Sequence, residues 1–375
     1  MVRRGPWLYQ GGTGEMSDRD TEIKRFLGAA GWASANIESF PGDASSRRYF
    51  RLTRGDELAV LMDAPRGAET PAEPDGASVA DRKALGYNAL ARLAGPEPAA
   101  FACLSNELVI RGFSAPKIIA ADLDLGLLLL EDFGQTVYAK VIEASTEMEA
   151  PLYAAAVECL AEIYRSSFPA QMHYRNASWR VRSYDEAALL TETHLFLDWY
   201  AADKGADISA PARADWDDIW KQLFSALGAH APGLALRDFH AENLFWLPER
   251  TSVARVGLID FQDGLFVHPA YDLVSFLEDA RRDVALDLVD PLISQFVEQA
   301  KLSDEAAFRR AYAVLGAQRN AKILGIFVRL AERDGKPSYR DLIPRVHAHF
   351  VKNLSGAEFA PLRAWFAAHL PGELS

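Results

Sequence analysis

The chain is poor in cysteine and has no long apolar run. Its 375 residues include two cysteines, Cys103 and Cys159, which are far apart and not in CxxC spacing. Neither a disulfide framework nor a thiolate metal site is therefore expected. No segment approaches about 18 consecutive apolar residues, and the basic N-terminus lacks the apolar stretch of a signal peptide. We expect a globular, cytoplasmic protein with no membrane partner.

Positive charge is also in deficit. There are 40 Lys and Arg residues against 52 Asp and Glu residues, which gives a net charge of -12. Clustered cations drive nonspecific binding to nucleic acid, so no nucleic acid partner is expected. The deficit does not exclude ATP, because Mg²⁺ and a few local cations neutralise a triphosphate. We find no internal repeat, and with 49% hydrophobic residues the chain can form one large domain or two lobes, expected as a monomer.

The first third of the chain is typical of a small β-rich lobe. After a Gly- and Arg-rich extension, expected to be disordered, a short amphipathic helix starts near Thr21. Short β-branched or aromatic runs separated by turn residues predict an antiparallel meander, and a leucine run predicts a strand buried on both faces. The predicted strands are 36–40, 48–52, 57–62, 117–121 and 127–131, and the predicted helices between them are 79–94 and 98–111.

Beyond residue 134 the hydrophobic period becomes helical. Long helices are predicted at 148–166, 184–202, 211–227, 271–280, 304–331 and 342–354. One strand-like block interrupts them at 235–247 and 254–261, and it carries polar residues at fixed offsets. A mainly helical second lobe with an inserted hairpin is therefore expected.

That hairpin carries the most informative residues. Asp238 and Asn243 stand in D-x-x-x-x-N spacing, and an apolar strand then leads to Ile259-Asp260-Phe261. A phosphotransferase needs a carboxylate near the attacking hydroxyl and hard oxygen ligands for Mg²⁺. Asp238, Asn243 and Asp260 meet these demands if the two strands pair. The alternative is a plain hairpin with polar residues in its loops.

These motifs resemble the aminoglycoside phosphotransferase and choline kinase superfamily. The catalytic-loop spacing and the I-D-F segment match it, together with F-P-G-D-A-S-S-R-R-Y-F-R-L at 40–52 and L-L-L-E-D-F-G at 128–134. The resemblance covers about residues 20–355 and implies an α+β, protein-kinase-like two-lobed fold. After the extension, taken as 1–18, it implies a nucleotide-binding N-terminal lobe at 19–133 and a helical lobe at 134–375 that contains the catalytic and metal-binding loops.

Further segments resemble one branch of this superfamily, the bacterial kinases that phosphorylate N-acetylmuramate and N-acetylglucosamine at the anomeric hydroxyl. They are I-D-F-Q-D-G with P-A-Y-D-L-V at 259–274, and the segments 184–200 and 316–337. The branch implies an ATP- and Mg²⁺-dependent sugar kinase of peptidoglycan recycling. Two alternatives stay open: a kinase of the same fold acting on choline, homoserine or an aminoglycoside, and a silent nucleotide-binding module.

The resemblance also implies site residues. Asp238 would accept or orient the acceptor proton, and Asn243 and Asp260 would bind Mg²⁺. Nucleotide contacts would come from backbone groups around the first turn and from the hinge, at Gly42, Asp43, Ala44, Ser45, Ser46, Arg48, Glu131 and Phe133. Candidate acceptor contacts are Glu192, Trp199, Tyr200, Arg237, His240 and Asp263, and candidates for an acidic substituent are Arg281, Arg282, Arg319 and Lys322.

The sequence departs from the family at three points. Leu236 replaces the frequent first histidine of the catalytic loop, and Met62 lies where many relatives carry a phosphate-contacting lysine. Arg48 is the expected replacement for that lysine. The long segment 64–95 is interpreted as an inert insertion. His240 is expected to make a hydrogen bond within the loop, and Asp272 to fix the backbone of the catalytic loop or to cap a helix.

Overall fold

The computed structural model describes residues 18–40, 47–65 and 70–374. These residues form two compact units, each described below by itself. One contains the described residues from 18 to 65 together with Ile118–Asp132, and the other contains 70–117 and 133–374. Residues 70–117, assigned on sequence to the N-terminal lobe, thus group with the second unit. Of the expected extension at 1–18, the structure describes Asp18 alone.

The first unit is a five-stranded antiparallel sheet with one helix on it. The elements are α1 (Asp18–Ala29), β1 (Asn36–Ser39), β2 (Arg48–Arg54), β3 (Glu57–Asp63), β4 (Ile118–Asp122) and β5 (Leu127–Glu131). The strand order is β1-β2-β3-β5-β4, so β5 lies between β3 and β4. The predicted meander and the two later strands are confirmed.

Helix α1 covers one face of this sheet. Its apolar side chains Ile23, Phe26 and Leu27 pack with alternate strand residues, including Leu61 and Leu129, in one buried cluster. Side chains alternate between the faces of a strand, so Met62 and Leu128 lie on the opposite face. The leucines of β5 are buried on both faces, as their continuous run predicts.

The second unit is mainly helical. Its helices are α2 (Val79–Leu85), α3 (Tyr87–Leu90), α4 (Pro98–Ile110), α5 (Tyr138–Ala144), α6 (Glu149–Arg165), α7 (Glu186–Leu195), α8 (Ala210–Phe224), α9 (Ala270–Leu277), α10 (Leu286–Gln299), α11 (Glu305–Glu332), α12 (Ile343–Asn353) and α13 (Ala360–His369). Within the described residues, no helix is long and apolar enough to cross a membrane.

Three short antiparallel strand pairs accompany these helices. They are β6 (Gln171–Tyr174) with β7 (Ala177–Arg180), β8 (Gly233–Ala235) with β11 (Leu265–Val267), and β9 (Leu244–Trp246) with β10 (Val256–Leu258). The catalytic-loop motif lies between β8 and β9, and the I-D-F segment lies between β10 and β11. Pairing of these strands brings the two segments to the same end of the hairpin.

The structure corrects two helix predictions. The helix expected at 79–94 breaks at Gly86, whose φ of +106° is a conformation that favours glycine. The helix predicted at 184–202 continues beyond α7 as a π-helix over Phe196–Ala201. Helix α10 was not predicted, because Pro291 interrupts its sequence pattern although the helix continues through it.

Candidate active site

Asp238 lies in the loop that joins β8 to β9. The backbone immediately before it is strained, because Arg237 has a φ of +76°, which is rare for a residue other than glycine. Asp272 on α9 holds this conformation: its carboxylate accepts the N–H groups of Leu236 at 2.6 Å and Arg237 at 2.9 Å. The sequence prediction that Asp272 fixes the catalytic loop is confirmed.

Pairing of β9 with β10 brings Asn243 next to Asp260. Leu244, which follows Asn243, pairs with Leu258, which lies two residues before Asp260. The carbonyl of Asn243 also accepts the N–H of Ile259 at 3.2 Å. The Asn243 amide nitrogen Nδ2 lies 3.0 Å from the Asp238 carbonyl and 3.4 Å from Asp260 Oδ2. The three residues singled out from the sequence therefore converge.

Gln262 was missed on sequence. Its Nε2 donates to Asp260 Oδ1 at 2.9 Å, and its side chain is buried. Asp260 itself has a φ of +58°, a left-handed conformation that directs its carboxylate out of the preceding strand. Its sequence position provided a signal for this contact, since an amide two residues after a carboxylate can hydrogen-bond that carboxylate and fix its orientation.

Positive charge lies close to the Asp238 carboxylate. Its side chain is 41% exposed, and Arg319 Nη2 lies 4.0 Å from its Oδ1. Burial of the site acts to raise the pKa of Asp238, but the nearby cations, Arg319 first among them, hold the pKa below its ordinary value. Asp238 is therefore ionised at neutral pH.

His240 is neutral and contacts the loop. Burial lowers its pKa to about 4. Its Nε2 lies 3.2 Å from Asn243 Nδ2, so the ring accepts a hydrogen bond from the amide. This contact is the hydrogen bond within the loop that the sequence predicts.

Glu192 lies in a buried cluster behind the catalytic loop. Arg237 donates to its Oε1, Tyr184 donates to its Oε2, and Lys322 Nζ lies 3.3 Å from Oε2. Glu192, Arg237 and Lys322 are all buried. Burial acts to lower the pKa of Lys322, but the negative charge of Glu192 raises it above its ordinary value. As the structure places them, Glu192 and Arg237 contact each other rather than solvent.

The other two residues expected with Glu192 lie elsewhere. Tyr200 is buried against Phe196 and donates its hydroxyl hydrogen bond to Glu373, near the C-terminus. Trp199 is half-buried in the π-helical turn. A π-helix has more residues per turn than an α-helix, so the spacing of seven residues no longer places Trp199 on the face of Glu192.

Residues 79–95 lie against the catalytic loop. Arg237 Nη1 donates to the Ala91 carbonyl at 2.9 Å, and Asp263 Oδ1 accepts the Ala94 N–H at 2.6 Å. Arg92 bridges Asp185, at 2.6 Å, and Glu73, at 2.7 Å. These contacts place part of the segment 64–95 against the residue before Asp238, and its interpretation as an inert insertion stays a prediction. The contact of Asp263 is structural and was not among the roles considered for it.

In the first unit, the strand register separates Arg48 from Met62. Arg48 pairs with Asp63 across β2 and β3, and its Nε donates to Asp63 Oδ2 at 2.9 Å on the face that carries α1. Met62 lies on the opposite face, which it shares with Arg51, the neighbour of Val60 across the strands. Arg51, which was missed on sequence, forms a two-pronged ion pair with Asp132, at 2.6 and 3.0 Å.

The remaining predicted nucleotide contacts are placed only in part. Gly42 to Ser46 lie outside the described residues. Glu131 ends β5 and pairs with Ala59 in the first unit. Phe133 packs against Phe245 in the second unit, with ring centroids 5.7 Å apart.

Comparison with known proteins identifies relatives over nearly the whole chain. The model of the phosphotransferase enzyme family matches residues 36–313. An N-acetylmuramate/N-acetylglucosamine kinase of Caulobacter vibrioides is 42% identical over 357 residues, which cover 95% of this chain and 98% of that protein. A protein of the same name from Neisseria meningitidis is 31% identical and covers 86% of this chain and 87% of its own length.

Solved structures confirm the kinase-like, two-lobed α+β fold. A choline/ethanolamine kinase family protein from Mesorhizobium loti has a TM-score of 0.56 at 15% identity and covers 92% of this chain and 98% of its own. Choline kinase from Cryptosporidium parvum has a TM-score of 0.55 at 12% identity and covers 92% and 99%. The family match spans most of the chain and includes Asp238, Asn243 and Asp260. This chain belongs to the phosphotransferase enzyme family.

Proposed function

We propose that this protein transfers the γ-phosphoryl group of ATP to the anomeric hydroxyl of N-acetylmuramate and N-acetylglucosamine. The convergence of Asp238, Asn243 and Asp260 is the observation that carries the phosphoryl transfer. The acceptor is supported by the curated relatives, whose names state these two sugars. The product would be a sugar 1-phosphate, which serves the recycling of peptidoglycan.

In the proposed reaction, Asp238 acts on the acceptor hydroxyl. A bond forms between the anomeric oxygen and the γ-phosphorus, and the bond from that phosphorus to the β,γ-bridging oxygen breaks. The hydroxyl proton passes to the Asp238 carboxylate, which is ionised because its pKa is lowered. Such transfers depend mainly on position and charge neutralisation, so the rigidity of the loop around Asp238 contributes directly to the rate.

The donor set beside Asp238 fits Mg²⁺. Asn243 and Asp260 supply amide and carboxylate oxygens, which are the hard ligands this ion takes, and their side chains are 3.4 Å apart. Asn243 and Asp260 would hold the ion, and Gln262 would orient Asp260. When bound, Mg²⁺ neutralises charge on the nucleotide phosphates.

Nucleotide contacts are proposed at the first turn and at the end of β5. Gly42, Asp43, Ala44, Ser45 and Ser46 would face the phosphates through their N–H groups, and Glu131 and Phe133 would contact adenine through the backbone. For the cation that replaces the lysine at Met62, the strand register favours Arg51 over Arg48, because Arg51 shares the face of Met62 whereas Arg48 lies on the face that carries α1.

The cations near Asp238 are balanced by carboxylates. Arg319 and Lys322 are buried close to Asp238 and lower its pKa, but Lys322 pairs with Glu192 and Arg319 faces Asp238 itself. The choice of acceptor therefore rests on the curated relatives. His240, Asp263 and Trp199 remain proposed acceptor contacts. Burial of Glu192 and Arg237 favours a positioning role for both.

An acceptor panel tests the proposal. ADP release with Mg-ATP would be measured against N-acetylmuramate, N-acetylglucosamine, choline, homoserine and kanamycin, and the product would be examined by phosphorus NMR. Turnover with the two sugars alone, and a phosphorus resonance coupled to the anomeric proton, is expected. Turnover with a cationic acceptor would keep the phosphoryl transfer and overturn the sugar assignment. No turnover with any acceptor would overturn the activity itself.

A further inference from the structure

Arg319 is a buried cation next to the proposed catalytic carboxylate. It lies on α11, its side chain is 7% exposed, and its Nη2 is 4.0 Å from Asp238 Oδ1. The same Nη2 donates to the hydroxyl of Ser275 on α9 at 2.7 Å. The guanidinium is therefore fixed by a neutral tether on one side and faces Asp238 on the other.

The other two buried cations of this region have a different partner. Arg237 and Lys322 both pair with Glu192. Within the described residues, the carboxylate that pairs with Arg319 is Asp238. Desolvating a guanidinium is costly, and the buried Nε of Arg319 has no hydrogen-bond partner in the described part of the chain. A buried cation with so few partners is poorly explained by stability alone.

Helix α9 links Arg319 to the backbone of the catalytic loop. Asp272 and Ser275 lie three residues apart on this helix, so they share one face. Asp272 accepts the N–H groups that precede Asp238, and Ser275 accepts the hydrogen bond from Arg319. One helical turn thus fixes both the backbone before Asp238 and the cation that faces its carboxylate.

We infer that Arg319 is a positioning residue for the phosphoryl transfer, acting by holding the Asp238 carboxylate in its reactive orientation, with Ser275 as its tether. This inference rests on the proposed function. A fixed charge at 4.0 Å restricts the rotation of a half-exposed aspartate side chain, and preorganised charge of this kind contributes mainly to the transition state. The effect should appear in kcat and be the same for every acceptor.

A competing role would be recognition of the acceptor's own carboxylate, which N-acetylmuramate has and N-acetylglucosamine lacks. The two roles give different kinetics. Loss of a positioning residue lowers kcat for both sugars alike, whereas loss of a carboxylate contact raises KM for N-acetylmuramate alone. Comparison of the two acceptors therefore separates them.

The experiment compares Arg319→Gln, Arg319→Lys and Ser275→Ala with wild type, and uses Arg310→Gln, an exposed arginine of the same helix, as the matched control. Arg319→Gln should lower kcat about 100-fold for both sugars and leave the KM of ATP within about twofold. Arg319→Lys should recover about tenfold of this loss. A loss confined to N-acetylmuramate, or unchanged kcat in Arg319→Gln, would overturn the inference.

A second readout needs no acceptor, so the inference can fail separately from the proposed function. Melting temperatures are measured for Arg319→Gln, Asp238→Asn and the double variant. If the two side chains interact, the decrease in the double variant differs from the sum of the single decreases. Additive decreases would show that Arg319 does not act on Asp238, whichever acceptor the enzyme uses.

Discussion

Each of the two compact units contains a buried carboxylate that pairs with two cations: Asp63 in the first and Glu192 in the second. The two clusters have different roles. Asp63 accepts Arg19 Nε at 3.0 Å and Arg48 Nε at 2.9 Å, which fastens α1 and β2 to β3. Glu192 pairs with Arg237 and Lys322.

The two clusters differ in exposure and in what adjoins them. The Arg48 side chain is 53% exposed, so water screens its ion pair with Asp63. Both cations of Glu192 are buried, and Arg237 directly precedes Asp238. The same ionic arrangement therefore stabilises a helix on a sheet in one unit and shapes a catalytic loop in the other.

Loss of Glu192 should have the largest effect on stability. Glu192→Gln leaves Arg237 and Lys322 buried without their countercharge, which should cost about 3–5 kcal/mol in the free energy of unfolding. It should also lower kcat at least about tenfold at temperatures where the variant is folded, because Arg237 then loses its anchor. Urea denaturation and ADP release would measure these effects, with the exposed Glu186→Gln of the same helix as control. If Glu192→Gln is destabilised but keeps the kcat of wild type, the Glu192 cluster contributes to stability alone, as the Asp63 cluster does.

Loss of Asp63 should affect stability alone. Asp63→Asn should cost about 2 kcal/mol, because Arg19 loses a charge-assisted partner while the exposed Arg48 is solvated by water. The expected kcat is within about twofold of wild type. Asp56→Asn, in the exposed turn between β2 and β3, is the matched control. A large decrease in kcat at unchanged KM of ATP would give the Asp63 cluster a catalytic role.

A third buried carboxylate, Glu278, accepts hydrogen bonds from amide side chains. Asn320 and Asn353 donate to its Oε2 at 2.6 and 2.8 Å. Burial raises its pKa from 4.5 to about 7. The folded state thus binds the proton more tightly than the unfolded state, so the native protein loses stability as pH rises from about 4.5 to about 7 and no more above that.

Substitution Glu278→Gln should remove this pH-dependent loss. Its stability relative to wild type should rise between pH 5 and pH 8 by on the order of 2 kcal/mol, as seen in melting temperatures across that range. Glu298→Gln, an exposed residue of α10, should show no such trend. If the difference in melting temperature between Glu278→Gln and wild type stays constant with pH, the pKa of Glu278 is not raised, and nearby cations offset the effect of its burial.

Arginines of the sheet should give the smallest effects on stability. Arg48→Gln should cost less than about 1 kcal/mol, because the side chain is exposed. It should change the KM of ATP less than about twofold, whereas Arg51→Gln should raise that KM about fivefold, since Arg51 shares the face of Met62. The reverse order would restore Arg48 as the replacement for the lysine.

Local sequence patterns were sufficient to predict the fold class and the three central residues of the site. The period of hydrophobic residues predicts most helices and strands, and the spacing of Asp238, Asn243 and Asp260 predicts their convergence once β9 pairs with β10. Glu192 could not be placed in this way, because an acidic residue on an amphipathic helix has the same pattern whether it binds a ligand or a distant side chain. Its partners Arg237 and Lys322 are remote in sequence.

The placement of residues 70–117 also depends on contacts with residues remote in sequence. Their composition indicates a loop and two helices, but grouping them with the second unit depends on ion pairs such as Arg92 with Asp185 and on the Ala91 contact of Arg237. The left-handed conformation of Arg237 is likewise held by tertiary hydrogen bonds to Asp272, and arginine does not favour it locally.

The most direct measurement is kcat of Asp238→Asn with saturating Mg-ATP and N-acetylmuramate, with nucleotide binding followed by the shift in melting temperature. Removal of the proton acceptor should lower kcat by about 1,000-fold, while the shift caused by Mg-ATP stays as in wild type. Wild-type turnover in Asp238→Asn, with binding intact, would contradict the assignment of this carboxylate to the transfer.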